Sequence, residues 1–270
     1  DRSPSRGLGD VYKRQVLENI MESNVISVNT LEDQESVAQM FTKYDFAALP
    51  VVDQENRLVG IITVDDIVDV IEQETTEDME KMAALLPSDE EYLKTPVLKL
   101  ARNRIVWLCV LMVSGTLSSL VISHYETLLA TVMALSSFIT IITGTGGNAG
   151  SQASTMIIRG MALGEIEVKD VLRVVWKEVR VGALCGIALG AVNMVRMTFF
   201  SPSTGFLVDF TVSISMAAVV VLSKTIGCTL PILAKILKVD PAMMAGPLIS
   251  TLVDAVALII YFSIATMLLL

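Results

Sequence analysis

A single aspartate interrupts the most apolar stretch of the chain. Between Pro241 and Leu270 every residue except Asp254 is uncharged, which is typical of a helix that crosses a bilayer. A charged side chain at that depth costs on the order of 3 kcal/mol, so such groups usually lie on an ion or substrate path. Asp254 is the only carboxylate that the pattern places at membrane depth. We therefore expect it to contact a cation. A cap or a pairing with a neighbouring helix is the alternative.

A glycine-rich segment, GTGGNAGSQ at residues 144–152, lies inside another apolar run. Each glycine weakens a helix by about 1 kcal/mol relative to alanine, and non-helical backbone at membrane depth is tolerated only where it is buried or lines water. Two amides, Asn148 and Gln152, offer oxygen atoms to a hydrated ion. The pattern therefore predicts a break in the span beside an ion path. Close helix packing through small residues is the alternative.

Eight carboxylates lie between Asp65 and Glu80, and Lys81 is the only base near them. Pairs such as Asp66 with Asp69 stand one helical turn apart, where like charges destabilise a helix by a few tenths of a kcal/mol. Such a helix either is solvated or binds cations that neutralise it. Because the run leads into the apolar half, where negative charge has no role toward lipid, we expect a regulatory cation site. A solvated face is the alternative.

Charge and composition divide the chain into two halves. Residues 1–100 contain 21 acidic and 9 basic side chains, whereas residues 101–270 contain 8 and 11. With 53% hydrophobic residues and a mean hydropathy of +0.62, this is a membrane protein with an acidic soluble part. The acidic part argues against nucleic acid, which needs clustered lysine and arginine, and suits divalent cations.

Residues that could support catalysis or a structural metal site are sparse. The three cysteines (Cys109, Cys185 and Cys228) lie in apolar segments without metal-ligand spacing, so we expect packing roles. No nucleophile and base form a recognisable pair, and the single histidine, His124, is expected at a membrane edge. The sequence therefore predicts a protein that is not an enzyme.

The soluble half shows the periodicity of a small α+β unit. Residues 1–15 have no periodicity and are interpreted as a non-native or disordered leader. Within residues 16–74 we predict a strand at 26–28, a helix at 34–41, a hairpin of strands at 49–53 and 58–63, and a helix from Asp65. Residues 75–101 are interpreted as an acidic connecting helix.

The apolar half, residues 102–270, contains five predicted spans. They are residues 105–123, 128–158, 181–195, 208–233 and 243–270. Lysine and arginine lie before the first span, within the 159–180 loop and between the fourth and fifth spans. The positive-inside rule therefore places the 159–180 loop and the acidic domain in the cytoplasm and the C-terminus outside. Lys224, inside the fourth span, is interpreted as structural, snorkelling or paired with a polar group of the fifth span.

Motifs in both halves resemble known families. The run ALPVVD, followed by LVGIITVDDI, resembles a CBS domain over residues 16–73, although such units usually occur in pairs. The segments GGNAGSQASTMIIRG and DPAMMAGPLISTLVDA resemble the MgtE family of magnesium channels and transporters. The resemblance implies a multi-domain fold, an α+β CBS domain followed by an all-α transmembrane domain of five helices. It also implies a homodimer in the lipid of the cell membrane, with the pore between the copies.

The same resemblance assigns roles to individual residues. The pore would bind the metal ion at Asp254, with Asn148, Gly147 and Gly146 nearby. Regulatory Mg²⁺ would bind carboxylates of the cytoplasmic part, which are Asp33, Glu35, Asp45, Asp66, Asp69, Glu74, Glu77 and Asp78. Phe46 stands where an adenine can stack, and Thr63 and Asp66 match positions that hold ribose and phosphate, so ATP is a further expected regulatory ligand.

The resemblance implies a Mg²⁺-selective channel or transporter, which moves divalent cations across the membrane through a homodimer pore. Cytoplasmic Mg²⁺ bound to the acidic CBS and connecting-helix region would gate it. Both a channel and a coupled carrier fit the sequence, as do Mg²⁺, Co²⁺, Ni²⁺ and Mn²⁺. Two alternatives from other classes stand beside it. One is a CBS-regulated secondary transporter of another solute, which a basic residue such as Lys224 aimed at the pore would support. The other is a nucleotide-sensing membrane module without conduction.

Overall fold

The computed structural model describes residue 21 and residues 24–88, 92–200 and 205–270. The expected leader at 1–15 lies outside the described residues. The chain divides into two compact units, residues 1–73 and residues 74–270, and the long acidic helix crosses the boundary between them. Each unit is built around its own apolar contacts.

The first unit is a three-stranded sheet with helices, which confirms the predicted α+β fold. Strand β1 (Val28–Asn29) is followed by α1 (Gln34–Tyr44), β2 (Ala48–Val52) and β3 (Leu58–Thr63). β1 runs parallel to β2, and β2 pairs antiparallel with β3 as the predicted hairpin. The buried side chains that hold this unit together are Val28, Val37, Ala38, Phe41, Leu49 and Ile67.

The hairpin turn is stabilised by a carboxylate. Asp53 Oδ1 accepts hydrogen bonds from the backbone N–H groups of Glu55 and Arg57, both at 2.9 Å, and these bonds lower the pKa of Asp53. Asn56 adopts the left-handed conformation, with φ 59°, which asparagine tolerates better than most residues. The turn residues at 54–56 therefore act as the sequence pattern predicts.

Helices make up most of the remaining described residues. The acidic helix α2 covers Val64–Met82. It is followed by α3 (Val97–Ser114), α4 (Thr116–His124), α5 (Glu126–Thr131), α6 (Ile139–Ala162), α7 (Val171–Phe200), α8 (Phe206–Ile236) and α9 (Gly246–Leu269). One-turn 3₁₀ segments at Val168–Asp170 and Pro241–Met244 precede α7 and α9.

Four helical stretches in the described part of the chain are long and apolar enough to cross a membrane. They cover Val97–His124, Val168–Phe200, Phe206–Ile236 and Pro241–Leu269. These stretches correspond to the first, third, fourth and fifth predicted spans. The second predicted span is divided between α5, a 3₁₀ segment at Met133–Phe138 and α6. With its glycine, serine and amide residues, the 24-residue α6 is less apolar than the other four.

The predicted break at residues 144–152 is wrong, because α6 runs through the whole segment without interruption. Its glycines allow other helices to approach closely. A Cβ placed on Gly146 would lie 2.8 Å from a Val219 methyl group, and one on Gly150 would lie 3.2 Å from the backbone oxygen of Ser223. Close packing therefore accounts for these glycines, because tertiary contacts outweigh their low helix propensity. A role of Asn148 and Gln152 beside an ion path stays a prediction.

Helices α7 and α8 pack through a second row of small residues. Gly182, Gly186 and Gly190 are spaced four residues apart on one face of α7 and are buried. A Cβ on Gly186 would lie 2.7 Å from the backbone oxygen of Ala217 on α8. Because the obstacle is backbone and not a flexible side chain, the two helices would have to separate to accommodate any larger residue.

This packing leads to a stability prediction. Gly186→Val should lower the thermal midpoint of the detergent-solubilised protein by several degrees, consistent with a loss of about 1–3 kcal/mol for overpacking. Gly144→Ala is the matched control, since a Cβ added to that helical glycine would meet no atom within 4 Å and alanine favours helix. A melting curve for Gly186→Val that overlays both the control and the wild type would contradict the packing role.

Candidate functional site

Asp254 lies in the middle of α9 and is half-buried. The preceding residue, Val253, is buried against the glycine face of α6, where it faces Gly146 and Gly150. Among the described residues, no side chain or backbone group forms a hydrogen bond or ion pair with the Asp254 carboxylate. The alternative of an aspartate that caps or pairs within its own chain therefore finds no support in these contacts. The carboxylate remains available to a ligand.

Hydroxyl groups connect α6 to α9 and to the 3₁₀ turn before α9. The hydroxyl oxygens of Ser151 and Ser250 are 3.4 Å apart, and Ser154 Oγ donates to the backbone oxygen of Met244 at 3.2 Å. Because Ser250 precedes Asp254 by four residues, the two side chains share one face of α9. Gly147 packs on that same serine, since a Cβ placed on this glycine would lie 3.4 Å from the hydroxyl oxygen.

The predicted pore residues thus occupy different environments. Gly146 and Gly147 are buried where α6 meets its neighbouring helices, and their place beside an ion path stays a prediction. Asn148 is exposed and lines a pocket that does not include Asp254. Gln152 lies one turn further along α6 and lines the same pocket. Whether Asn148 and Asp254 serve one ion path stays a prediction.

The pocket has a volume of about 750 Å³ and lies among α6, α7 and α8. Polar groups from all three helices line it, namely Asn148, Ser151, Gln152, Thr155, Glu178 and Lys224. Most of these side chains can accept hydrogen bonds. A polar pocket of this size between helices is a typical position for a ligand or ion.

Lys224 and Glu178 form a buried ion pair at the edge of this pocket. Their nearest atoms, Nζ and Oε2, are 3.8 Å apart, and the two side chains are only 8% and 15% exposed. Of the alternatives for Lys224, pairing with a polar group of the fifth span is wrong, because its partner lies on α7. Asp254 is also not the only carboxylate within a candidate membrane span, since Glu178 lies in Val168–Phe200 and Asp209 in Phe206–Ile236.

A second charged cluster precedes α9. The ammonium group of Lys81 contacts Glu77 at 2.6 Å and Asp240 at 2.5 Å. Asp240 also accepts the backbone N–H of Ala242 at 2.8 Å, which caps the 3₁₀ turn before α9. Although partial burial opposes it, the hydrogen bonds with Asp240 and Glu77 raise the pKa of Lys81. Lys81 therefore connects the end of α2 to the 3₁₀ turn before α9. The sequence did not indicate Asp240 as its partner.

Removing this tie should loosen both helix ends. We expect Asp240→Asn to speed hydrogen exchange of the backbone amides at residues 81–85 and 242–246 by about fivefold, the equivalent of about 1 kcal/mol for a partly buried ion pair. The control is Glu167→Gln, which removes the exposed pair between Glu167 and Lys169 and should leave those amides unchanged. Equal exchange in Asp240→Asn and the wild type would show that the tie contributes nothing.

The Lys81 cluster also changes the acidity of a predicted regulatory residue. Burial first, and the nearby charge of Asp240 second, raise the pKa of Asp78, which is half-buried. Its charged form is therefore less favourable than that of an exposed aspartate. A cation bound beside it would offset both effects.

The predicted regulatory carboxylates are distributed over the two units. Asp33 and Asp45 flank α1, the latter with left-handed φ 53°, and Glu35 accepts a hydrogen bond from Gln39 at 3.3 Å. Asp66 and Asp69 lie on the first part of α2, whereas Glu74, Glu77 and Asp78 lie on its second part. In the described ranges, no three carboxylate, histidine or cysteine side chains form a group that could hold a metal ion. The regulatory cation sites stay a prediction.

The three residues predicted to contact a nucleotide have roles within the first unit. Thr63 donates its hydroxyl to Asp66 at 2.6 Å and its backbone N–H to the same oxygen at 3.2 Å. These two bonds lower the pKa of Asp66. The second also provides an acceptor for the backbone N–H of Thr63, just before α2 begins. Phe46 packs against the core and stacks on Tyr44 with 5.4 Å between ring centres. Nucleotide binding therefore stays a prediction.

Comparison with known proteins agrees with the two units. Residues 139–264 match the MgtE family, described as divalent cation transporters, and residues 17–73 match the CBS domain. The chain is 40% identical over 250 residues to a magnesium transporter MgtE of Thermus thermophilus and 38% identical over 254 residues to one of Bacillus subtilis. These alignments cover 93% of the chain but 55% and 54% of the relatives, so the chain spans about half their length.

Proposed function

The membrane unit of this chain belongs to the MgtE family of divalent cation transporters, with a CBS domain before it, and on that basis we propose that the protein moves Mg²⁺ across the cell membrane. The relatives that it resembles over nearly all its length are named magnesium transporters, not enzymes. The observation that carries the proposal is the half-buried Asp254 on α9, which lies within a candidate membrane span and has no partner among the described residues.

The chemistry of Mg²⁺ suits a pore with few carboxylates. Mg²⁺ prefers octahedral oxygen coordination and releases its water slowly, so it is usually held by one or two carboxylates and several waters. In a homodimer with the pore between the copies, each chain contributes one Asp254, and the two carboxylates attract the hydrated ion together. Weak binding through water leaves the ion free to move on.

Charged residues at the helix ends support one orientation of the chain. Lys94, Lys99, Arg102 and Arg104 lie near the beginning of the first span, and Lys235 and Lys238 lie near the end of α8. In the loops on the other side of the membrane, Arg196 is the only lysine or arginine. With five spans, the positive-inside rule places the CBS domain in the cytoplasm and the C-terminus outside.

Regulation is assigned to the acidic residues of α2 and the first unit. When cytoplasmic Mg²⁺ is plentiful, the ion neutralises these carboxylates and stabilises a closed state. When it is scarce, their mutual repulsion favours the open state. The Lys81–Asp240 pair supports this assignment, since it joins α2 directly to the turn before the helix that carries Asp254. ATP is proposed as a second ligand of the CBS domain.

Transport of an anionic or organic solute is the competing assignment. Its main support in the sequence is Lys224, a basic residue inside an apolar span. In the folded chain the charge of Lys224 is offset by Glu178 on α7, so the lysine is not a free positive charge for an anion. This pairing favours the cation assignment.

The proposal is tested with the purified chain in liposomes that contain a Mg²⁺-sensitive dye. We expect Mg²⁺ to enter down its gradient many times faster than into protein-free liposomes. Single-channel currents from the same preparation would assign a channel, and uptake without such currents would assign a carrier. Uptake no faster than into protein-free liposomes would contradict the proposal.

A further inference from the structure

We propose that the pocket among α6, α7 and α8 is an outer-sphere binding site for a hydrated divalent cation, and that Lys224 is a tethered positive charge that weakens this binding. The inference rests on the proposed transport of divalent cations and adds a site apart from Asp254. It assigns functions to Glu178 and Lys224, two residues that have no role if Asp254 alone carries transport.

The lining of the pocket suits an ion that keeps its water. A hydrated cation presents O–H groups on all sides, so its site needs hydrogen-bond acceptors and not direct metal ligands. The pocket offers hydroxyl, amide and carboxylate oxygens, from Ser151, Thr155, Asn148, Gln152 and Glu178. A hexahydrated Mg²⁺ occupies roughly 180 Å³, from a Mg–O distance of about 2.1 Å and a water radius of about 1.4 Å. The volume of about 750 Å³ therefore admits it.

One acceptor in the pocket lacks a donor. The Oε2 atom of Glu178 is buried and has no hydrogen-bond partner among the described residues. Its distance of 3.8 Å from Lys224 Nζ is too long for a hydrogen bond. A buried carboxylate oxygen without a donor is unfavourable, so the Glu178 carboxylate is stabilised when its side chain turns toward a donor in the pocket, such as a water of a hydrated cation.

Lys224 determines how strongly the cation is held. Its side chain is 8% exposed and lines the same pocket, so its charge acts at short range and with little screening by solvent. When the pocket is empty, Lys224 compensates the charge of Glu178. When a cation enters, the two positive charges repel each other. Such an arrangement lets an ion bind but keeps the binding weak enough for the ion to leave again. Conduction requires both properties.

The test measures equilibrium binding of hexaamminecobalt(III), whose ammonia ligands do not exchange, so that it binds only through its N–H groups. Binding to the purified full chain is measured by calorimetry in an Asp254→Asn background, which removes the other membrane carboxylate proposed to attract cations. We expect Lys224→Gln to tighten binding about tenfold and Glu178→Gln to weaken it about tenfold. The control is Lys235→Gln, an exposed lysine of the same helix, which should leave binding unchanged.

Two further measurements keep the result decisive. Melting curves identify any variant that does not fold. Should Lys224→Gln be such a variant, Gln152→Met decides, since it removes an exposed acceptor of the pocket and should weaken binding at least threefold. Unchanged binding in folded Lys224→Gln and Glu178→Gln, or in Gln152→Met, would overturn the inference. Because binding is measured without flux, a wild-type chain that transports nothing would refute the proposed function separately.

Discussion

Replacing Asp254 with alanine is expected to abolish Mg²⁺ uptake into liposomes, reducing the initial rate at least a hundredfold. The carboxylate is the one charged group of α9, and the Glu178 carboxylate on α7 is offset by Lys224. A cation in the hydrocarbon region without a counter-charge meets a desolvation barrier of several kcal/mol. A barrier higher by about 2.7 kcal/mol already corresponds to a hundredfold lower rate.

The matched control is Glu126→Gln, which neutralises an exposed carboxylate at the beginning of α5. It should transport Mg²⁺ at the wild-type rate. Asp254→Asn separates charge from shape, because it keeps the size of the side chain and should be nearly as inactive as the alanine variant. If folded Asp254→Ala transports as fast as Glu126→Gln, the pore assignment fails.

Neutralising the second part of α2 is expected to remove most of the inhibition by internal Mg²⁺. In the triple variant Glu74→Gln, Glu77→Gln and Asp78→Asn, the Mg²⁺ concentration for half-inhibition should rise at least tenfold. The variant lacks the charges that a bound cation would neutralise, so Mg²⁺ binds the closed and the open state with similar affinity and no longer favours the closed one. The assay measures uptake into liposomes preloaded with graded internal Mg²⁺.

A control with the same change of net charge distinguishes a specific site from general electrostatics. Glu32→Gln, Glu55→Gln and Glu126→Gln neutralise three exposed carboxylates elsewhere and should leave half-inhibition within a factor of two. The wild type should also lose inhibition as the pH falls, since the raised pKa of Asp78 means that protons displace the cation there before they titrate an ordinary aspartate. An unchanged half-inhibition in the triple variant would reject regulation by α2.

The sequence was most informative where local rules decide structure. Short apolar runs at 49–53 and 58–63 predicted a hairpin, which the structure has at Ala48–Val52 and Leu58–Thr63. The apolar runs predicted four long helices to within several residues at most ends. Asp53 and Thr63 also bond to residues near them in the chain, although the sequence analysis assigned Thr63 to a nucleotide and not to Asp66.

The failures arise where distant residues determine the outcome. The glycines of α6 looked like a helix break because propensity counts only the local cost, whereas Val219, Ser223 and Val253 make small residues necessary there. The end of the predicted 159–180 loop is helical, because α7 begins at Val171. Its basic residues had suggested an exposed loop, which hid Glu178 as a carboxylate within a span.

Partners across helices could not be identified from one sequence. Lys224 signalled a need for a counter-charge, but several polar residues were available and only the fold selects Glu178. In the same way, Lys81 and Asp240 are 159 residues apart and meet only in the folded unit. The spacing of four residues between Gly182, Gly186 and Gly190 was a signal that could have identified the α7–α8 contact.

The most direct test of the account locates a bound ion. Crystals of the purified protein soaked in Mn²⁺, an anomalously scattering substitute for Mg²⁺, should show a peak between two copies of α9. The peak should lie about 4–5 Å from each Asp254 carboxylate, the distance expected for a metal ion with one water between. Mn²⁺ bound only elsewhere, with both Asp254 side chains directed toward lipid, would contradict the account.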